Sequence, residues 1–360
     1  MSDKTEKRLI TILPSILSVI LGLFIGWLLL LIPNPQDSLS GLGLILSGGF
    51  KRGASNIGNI MHIATPIILT GLSVSFASKS GLFNIGASGQ FTAGAFCAIA
   101  VGIAFPELPA FIHIPLAVLA GCAAGALCGA IVGALKTYFN VSEVISGIML
   151  NYVVMLAVNM LIKMFIYDSE QNRSLKVAST AIIGRGLKID PGFFVAIICI
   201  IAIKIILDKT TFGYELITTG KNKNAAQYAG MNSNKCALLS MVIAGVLAGL
   251  GGVLMYLSDY GEYLYVVEKI SQEGFMGISV SLLGLSSPVG TFIAGIFIAL
   301  LTSGGNMLQL YGYTPDIINM IVAVMVYCGA LTIPARKVIE KLIDKYKTKG
   351  SPVSGEEVTS

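Results

Sequence analysis

Long apolar runs recur along this chain, and they limit its possible folds more than any other feature. A bilayer core about 30 Å thick is crossed by about 20 apolar residues in helix. Runs of this kind are Leu9–Ile32, Ile57–Ser78, Leu82–Phe105, Pro115–Leu135, Val141–Ile166, Pro191–Leu207, Cys236–Ser258, Val289–Leu310 and Pro315–Pro334. A shorter run, Gly274–Leu285, reads as a half-helix or a re-entrant piece. The pattern predicts an all-α polytopic membrane protein with about ten transmembrane helices, nine to eleven depending on how the short run is counted. Composition agrees: charged residues are 12% of the chain, against about 25% in a soluble domain. That excludes a water-soluble globular enzyme, a disordered chain and a nucleic-acid binder.

Charge asymmetry sets the expected orientation, because loops on the cytoplasmic side are enriched in Lys and Arg. With ten crossings both termini lie on one side. Placing them inside puts Lys4, Lys7, Arg8, Lys79, Lys136, Lys209, Lys221, Lys223, Lys235 and the basic residues from Arg336 to Lys349 in the cytoplasm. The outside loops then carry Lys51, Arg52, Arg173, Lys176, Arg185, Lys188 and Lys269. The stretch Tyr167–Asp190 is the exception, with four basic residues on the outside. Leu9–Ile32 is longer than a signal-peptide core and has no A-x-A-like cleavage site after it, so it reads as a retained span. The expected organisation is a cytoplasmic tail 1–8, a transmembrane domain 9–334 with a cytoplasmic loop 208–235, and a charged cytoplasmic tail 335–360. The six cysteines lie in apolar runs with no CxxC pair, which predicts thiols packed between helices and no metal site.

Gly121, Gly125, Gly129 and Gly133 fall four apart, as do Gly245 and Gly249, and Gly22 and Gly26. Small residues at that spacing line one helix face and let backbones approach closely where lipid gives no hydrophobic drive for association. Catalytic constellations are missing from the sequence: there are no paired carboxylates, no Ser–His–Asp pattern, no HExxH and no phosphate loop. His62, Glu143 and Asp316 are the ionisable residues within or at the ends of apolar runs. Glu143 fits a helix start, where the dipole favours a carboxylate. His62 reads either as a satisfied packing residue or as part of a substrate path.

Three segments carry more information. Ser80-Gly81-Leu82-Phe83-Asn84-Ile85-Gly86-Ala87-Ser88-Gly89-Gln90 sets two amides and several glycines inside an apolar stretch. Amides offer donors and acceptors to a neutral polyhydroxylated ligand, and at membrane depth they are costly unless paired or lining a wet cavity. The second segment, Thr211 to Met231, lies in a loop too long for a tight connection. Asn224 is expected to cap a short helix over Ala225–Ala229, and Gly230 to end it in the left-handed region. The third, Glu273 to Gly284 followed by Ser286-Ser287-Pro288, reads as a broken helix near the membrane midplane, a common way to build a transporter site.

In this order and spacing, together with Glu143-Val144-Ile145-Ser146-Gly147-Ile148-Met149-Leu150-Asn151-Tyr152, these segments resemble the permease subunits of bacterial ABC importers. The resemblance is to the ribose/branched-chain amino acid permease family, in its nucleoside and simple-sugar branch, and covers roughly residues 57 to 310. It departs from the common pattern at Ser88, where Glu is frequent, and at Met276, where Asp is frequent.

The resemblance implies a subunit that moves substrate across the cytoplasmic membrane by alternating access and binds no cofactor itself. ATP and Mg would act on partner ATPase subunits docked on a coupling helix, with Gly213, Asn224, Ala225, Ala226, Tyr228 and Gly230 in the coupling region. A second permease subunit, identical or homologous, would complete the pore, and an extracytoplasmic substrate-binding lipoprotein would deliver a nucleoside, simple sugar or riboflavin. Phe83, Asn84, Gln90, Asn151, Ser279 and His62 are the substrate-pathway candidates. An ATP-independent carrier or channel is the alternative from another class, and a membrane enzyme is disfavoured by the missing acid/base pair.

Overall fold

The computed structural model describes Leu17 and residues 20–47, 54–260 and 263–330. The tails 1–8 and 335–360 expected from sequence lie outside these residues. A helix stands in every one of the ten apolar runs: α1 (Ile20–Leu31), α3 (Ala54–Lys79), α4 (Ala87–Ala104), α5 (Ala110–Phe139), α6 (Glu143–Phe165), α7 (Gly192–Lys209), α10 (Ser233–Tyr256), α11 (Gln272–Leu283), α12 (Pro288–Met307) and α13 (Pro315–Ala330). Three further helices lie outside the runs: α2 (Ser38–Ser47), α8 (Thr211–Lys221) and α9 (Lys223–Tyr228). A short hairpin pairs β1 (Tyr167–Asp168) with β2 (Arg173–Ser174).

Six of these helices, α3, α4, α5, α6, α10 and α12, are long and apolar enough to cross a membrane. The chain is a multi-pass membrane protein. The others fall short for physical reasons. At 1.5 Å per residue the 12 residues of α11 rise about 18 Å, well under a bilayer core. Helix α7 has 18 residues but carries Lys204, Asp208 and Lys209 in its second half.

The helices sort into inner and outer positions by burial. The apolar window of α3 is 83% buried, against 39% in α5 and α6, so α3 lies at the centre. It runs antiparallel to α10: Ser80 Oγ meets Ser240 Oγ at 2.7 Å, and Ser73 Oγ donates to the Ala244 carbonyl at 2.6 Å. Phe76, Leu72, Leu69 and Ile68 of α3 pack with Leu247, Leu250 and Leu254 of α10 and with Ile200 and Ile203 of α7. The glycine seam joins α5 to α10. A Cβ at Gly125 would overlap the Gly245 carbonyl oxygen, one at Gly129 the Met241 carbonyl oxygen, and one at Gly94 of α4 would lie 2.6 Å from Gly249 Cα. The three backbones thus touch without side chains between them.

The loop 167–190 is tied to the helix ends beneath it. Ala178 N donates to the Gly102 carbonyl (3.0 Å), Ile183 N to Leu257 (2.6 Å) and Ser174 N to Leu264 (2.8 Å). Arg173 places its guanidinium carbon 3.5 Å from the Tyr263 ring centroid, which occupies one of the loop's basic residues with a cation–π contact.

Candidate functional site

After Lys79 the chain turns back along α3 instead of leaving the helix bundle. Gly81 adopts φ +76°, which glycine tolerates. Asn84 is thereby returned to the level of Ser73, two turns back along α3. Asn84 Nδ2 donates to Ser73 Oγ (2.9 Å) and to Gln90 Oε1 (2.8 Å), and Gln90 Nε2 donates back to Asn84 Oδ1 (3.2 Å). Both amides are fully buried.

Helix α4 starts at this level, within the bundle, and its first amides need partners. Its N-cap, Gly86, has no side chain to offer. Asn151 of α6 supplies the cap: its Oδ1 accepts from Gly89 N (2.8 Å) and its Nδ2 donates to the Ile85 carbonyl (3.0 Å). Gly86 and Gly147 allow α6 to come this close.

Helix α11 starts at the same level from the opposite direction. Thr70, sixteen residues into α3, donates to the Glu273 carbonyl (3.0 Å), and Ser88 Oγ donates to the Ser271 carbonyl (3.0 Å). From there α11 runs parallel to α3, reaching Ser75 at Ser281 (2.8 Å), whose hydroxyl cluster Thr291 completes (2.7 Å from Ser75). Helix α4 runs the other way, alongside α10. Two helix N-termini therefore meet in the middle of the bundle and diverge.

The sequence-derived pathway residues separate into two groups. Asn84, Gln90 and Asn151 gather at the start of α4, and Phe83 packs there with Ile278 against Val74, Ala87 and Ala248. Ser279 is half-buried on α11. His62 lies apart, about 16 Å along α3 from Ser73. Its Nδ1 sits 3.0 Å from Asp190 Oδ2 and 3.1 Å from Ser258 Oγ, and its ring stacks on Tyr260 at 5.6 Å. That cluster fastens the end of loop 167–190 to α3.

The structure also shows a cavity of about 150 Å³ beside the junction, between α4, α6, α10 and the irregular segment leading into α11. Phe91, Asn159, Tyr256, Tyr265, Lys269 and Glu273 are among the residues that line it. Sequence reading missed these residues, although an acidic residue one position into a broken helix was a usable signal.

The segment after α7 forms a compact helical pair. Thr210 caps α8 by accepting from Gly213 N (3.0 Å), and Gly213 packs directly on the Leu207 backbone. The cap of α9 is Asn222, whose Oδ1 accepts from Ala225 N (3.0 Å). This corrects the expectation for Asn224. Asn222 has the extended backbone of a cap (φ −154°, ψ 102°), whereas Asn224 already lies inside the helix. Gly230 ends the turn with φ +82°, and Met231 N reaches back to the Ala226 carbonyl (3.0 Å). Ala226 is fully buried, Tyr228 is 94% exposed, and Ala225 shares the exposed face. A groove of about 550 Å³ runs between the start of α8 and the end of α9, lined by Asp208, Tyr214, Glu215 and Met231 among others.

All six cysteines are free thiols, and no cluster of metal-ligating side chains occurs among the described residues.

Comparison with known proteins yields a consistent set of relatives. The guanosine ABC transporter permease protein NupP of Bacillus subtilis is 35% identical over 348 residues, covering 94% of this chain and 99% of that protein. The nucleoside ABC transporter permease protein NupB of Lactococcus lactis is 33% identical over 367 residues, 96% of each chain. The glucose ABC transporter permease protein TsgB13 of Haloferax volcanii is 29% identical over 279 residues, 73% of each. No solved structure matches. The model of the branched-chain amino acid transport system permease component matches residues 56–330, a span that holds the α4–α11 junction, the glycine seam and the α8–α9 pair, and the chain belongs to that permease family.

Proposed function

We propose that this chain is the membrane permease of an ATP-driven importer that carries a neutral nucleoside. The observation that carries this reading is near-full-length similarity to two permeases named for guanosine and nucleoside transport. A simple sugar is the second reading, favoured by the similarity to a glucose permease over a shorter span. In this proposal all ten apolar helices take part in the membrane domain, α11 as a half-length piece, and both termini are cytoplasmic.

ATP and Mg act on separate ATPase subunits, which grip the exposed face of α9 and the groove beside α8. A second permease subunit completes the pore, and an extracytoplasmic binding lipoprotein delivers substrate over loop 167–190. ATPase closure pushes α8 and α9. Gly213 packs α8 tightly on α7, and Gly220 packs against the Lys79–Gly81 turn, so the push reaches α3 and the start of α4. Asn84, Gln90 and Asn151 hold that start. They meet substrate only when the junction separates, and Phe83 and Ser279 flank the path then opened. Small-residue contacts along α4, α5 and α10 let the helices shift with little side-chain rearrangement.

The test is uptake of labelled guanosine by cells with and without this chain, chased separately by unlabelled nucleosides, ribose and riboflavin. Loss of uptake on deletion, with competition by nucleosides alone, is the expected result. Unchanged guanosine uptake moves the substrate to a simple sugar or riboflavin. Gln90→Ala is expected to reduce uptake at normal membrane abundance.

A further inference from the structure

We infer that Glu273 is a specificity-determining residue of this permease, accepting a pair of adjacent hydrogen-bond donors on the carried nucleoside. The inference rests on the nucleoside-import reading. It starts from placement: a carboxylate in the interior of a membrane protein is expensive and is kept there by function more often than by packing. The α11 N-terminus accounts for an acidic residue at this position, since helix dipoles favour negative charge at their starts. It does not explain why the side chain lines a cavity. Ser271 Oγ donates to one carboxylate oxygen, and no other hydrogen bond or ion pair to this carboxylate occurs among the described residues. Acceptor capacity therefore remains on the cavity side.

The rest of the lining suits a planar heterocycle carrying polar groups. Phe91 and Tyr256 are aromatic neighbours 6.3 Å apart between ring centroids, and Tyr265 joins them. Thr92 and Asn159 add a hydroxyl and an amide, the latter donating to the Val267 carbonyl at 2.8 Å. Aromatic faces give stacking, and the two oxygens of a carboxylate can accept from two neighbouring donors in a forked geometry. A nucleoside offers such a pair in two places: the ribose cis-diol, and the ring N–H beside the exocyclic amine of guanine. The cavity volume, about 150 Å³, is half the roughly 300 Å³ at which ligand sites begin, so in this conformation it has room for one ring of the nucleoside.

The experiment uses the complete transporter, with its ATPases and binding protein, reconstituted in vesicles. Uptake of labelled guanosine is competed separately by inosine, which lacks the amine, and by 2′-deoxyguanosine, which lacks half the diol. The wild type is expected to be competed poorly by one of the two, and that one identifies the donor pair. Glu273→Gln is expected to lower guanosine uptake about tenfold or more and to abolish the preference. Glu273→Asp keeps the charge at the helix start but withdraws it from the cavity. A merely structural role leaves the Asp variant with wild-type preference, whereas loss of preference in a fully assembled Asp variant supports recognition. A competition profile identical to wild type in both variants overturns the inference while leaving nucleoside import standing. Absence of nucleoside uptake by the wild type overturns both.

Discussion

At the scale of single residues, Asn151 has the largest structural consequence for its size. One amide satisfies two backbone groups of a neighbouring segment, Gly89 N and the Ile85 carbonyl, that no local side chain reaches. Asn151→Ala leaves both unpaired in the bundle interior, where each costs about 1–3 kcal/mol. The purified protein is expected to lose several degrees in its thermal midpoint, and a shift within one degree would mean that water replaces the amide. The two departures from the family pattern have a local reading of the same kind. Ser88 is fully buried against Gly274, with its hydroxyl on the Ser271 carbonyl, so the space a longer acid needs is taken up by the start of α11. Met276 is half-buried and packs in the apolar cluster around Val280 and Ile298. The sequence identified Asn84, Gln90 and Asn151 as polar groups in an apolar setting, because that is a local property. Their pairing was hidden, since Asn151 finds its partners more than sixty residues away. Glu273 was legible only as the start of its segment, because its place in a cavity depends on packing between helices.

Among the elements, the block of α4, α5 and α10 follows directly from glycine spacing. Periodicity of four marks a helix face without reference to the partner, which is why the seam was legible. Gly245→Val inserts a side chain where the Gly125 carbonyl oxygen already sits, so relief requires the helices to part. Membrane abundance of the folded protein is expected to drop severely, with Ala less damaging than Val; wild-type abundance of the Val variant would show that α5 can move away freely. Helices α2 and α8 were not legible. Ser38–Ser47 is too short and too glycine-rich to register as a span, and α8 carries its apolar side chains on one face rather than in a run. The hairpin β1–β2 has two residues per strand, below what alternation can show. The ends of α9 were half legible: Gly230 acts as expected, while the cap moved two residues because Asn222 and Asn224 are chemically equivalent and only backbone geometry chooses between them.

For the molecule as a whole, the α8–α9 pair is where the proposed function places the ATPase. Its two alanines have opposite fates. Ala226 faces inward, so Ala226→Asp buries a charge and is expected to reduce the folded protein itself. Ala225 faces outward beside Tyr228, and Ala225→Asp is expected to leave abundance and thermal midpoint unchanged while abolishing co-purification of the ATPase and coupled uptake. If the Ala225 variant keeps its ATPase, docking uses another surface. One ion pair, Lys136 with Glu143 at 2.8 Å, ties the α5–α6 turn that faces this region. It is partly exposed, and its contribution to stability is therefore small.

The meeting of α4 and α11 also bears on leakage. A continuous helix insulates a membrane along its whole length. Here α11 is too short to span the depth, and Ser88, Ser271 and Gly274 form the contact layer where it meets the start of α4. Tightness against protons and small ions at this point rests on atomic fit across that layer, not on thickness. A substitution that opened it by the width of a water molecule would turn a selective transporter into an uncoupled conduit, dissipating the membrane potential without carrying any substrate.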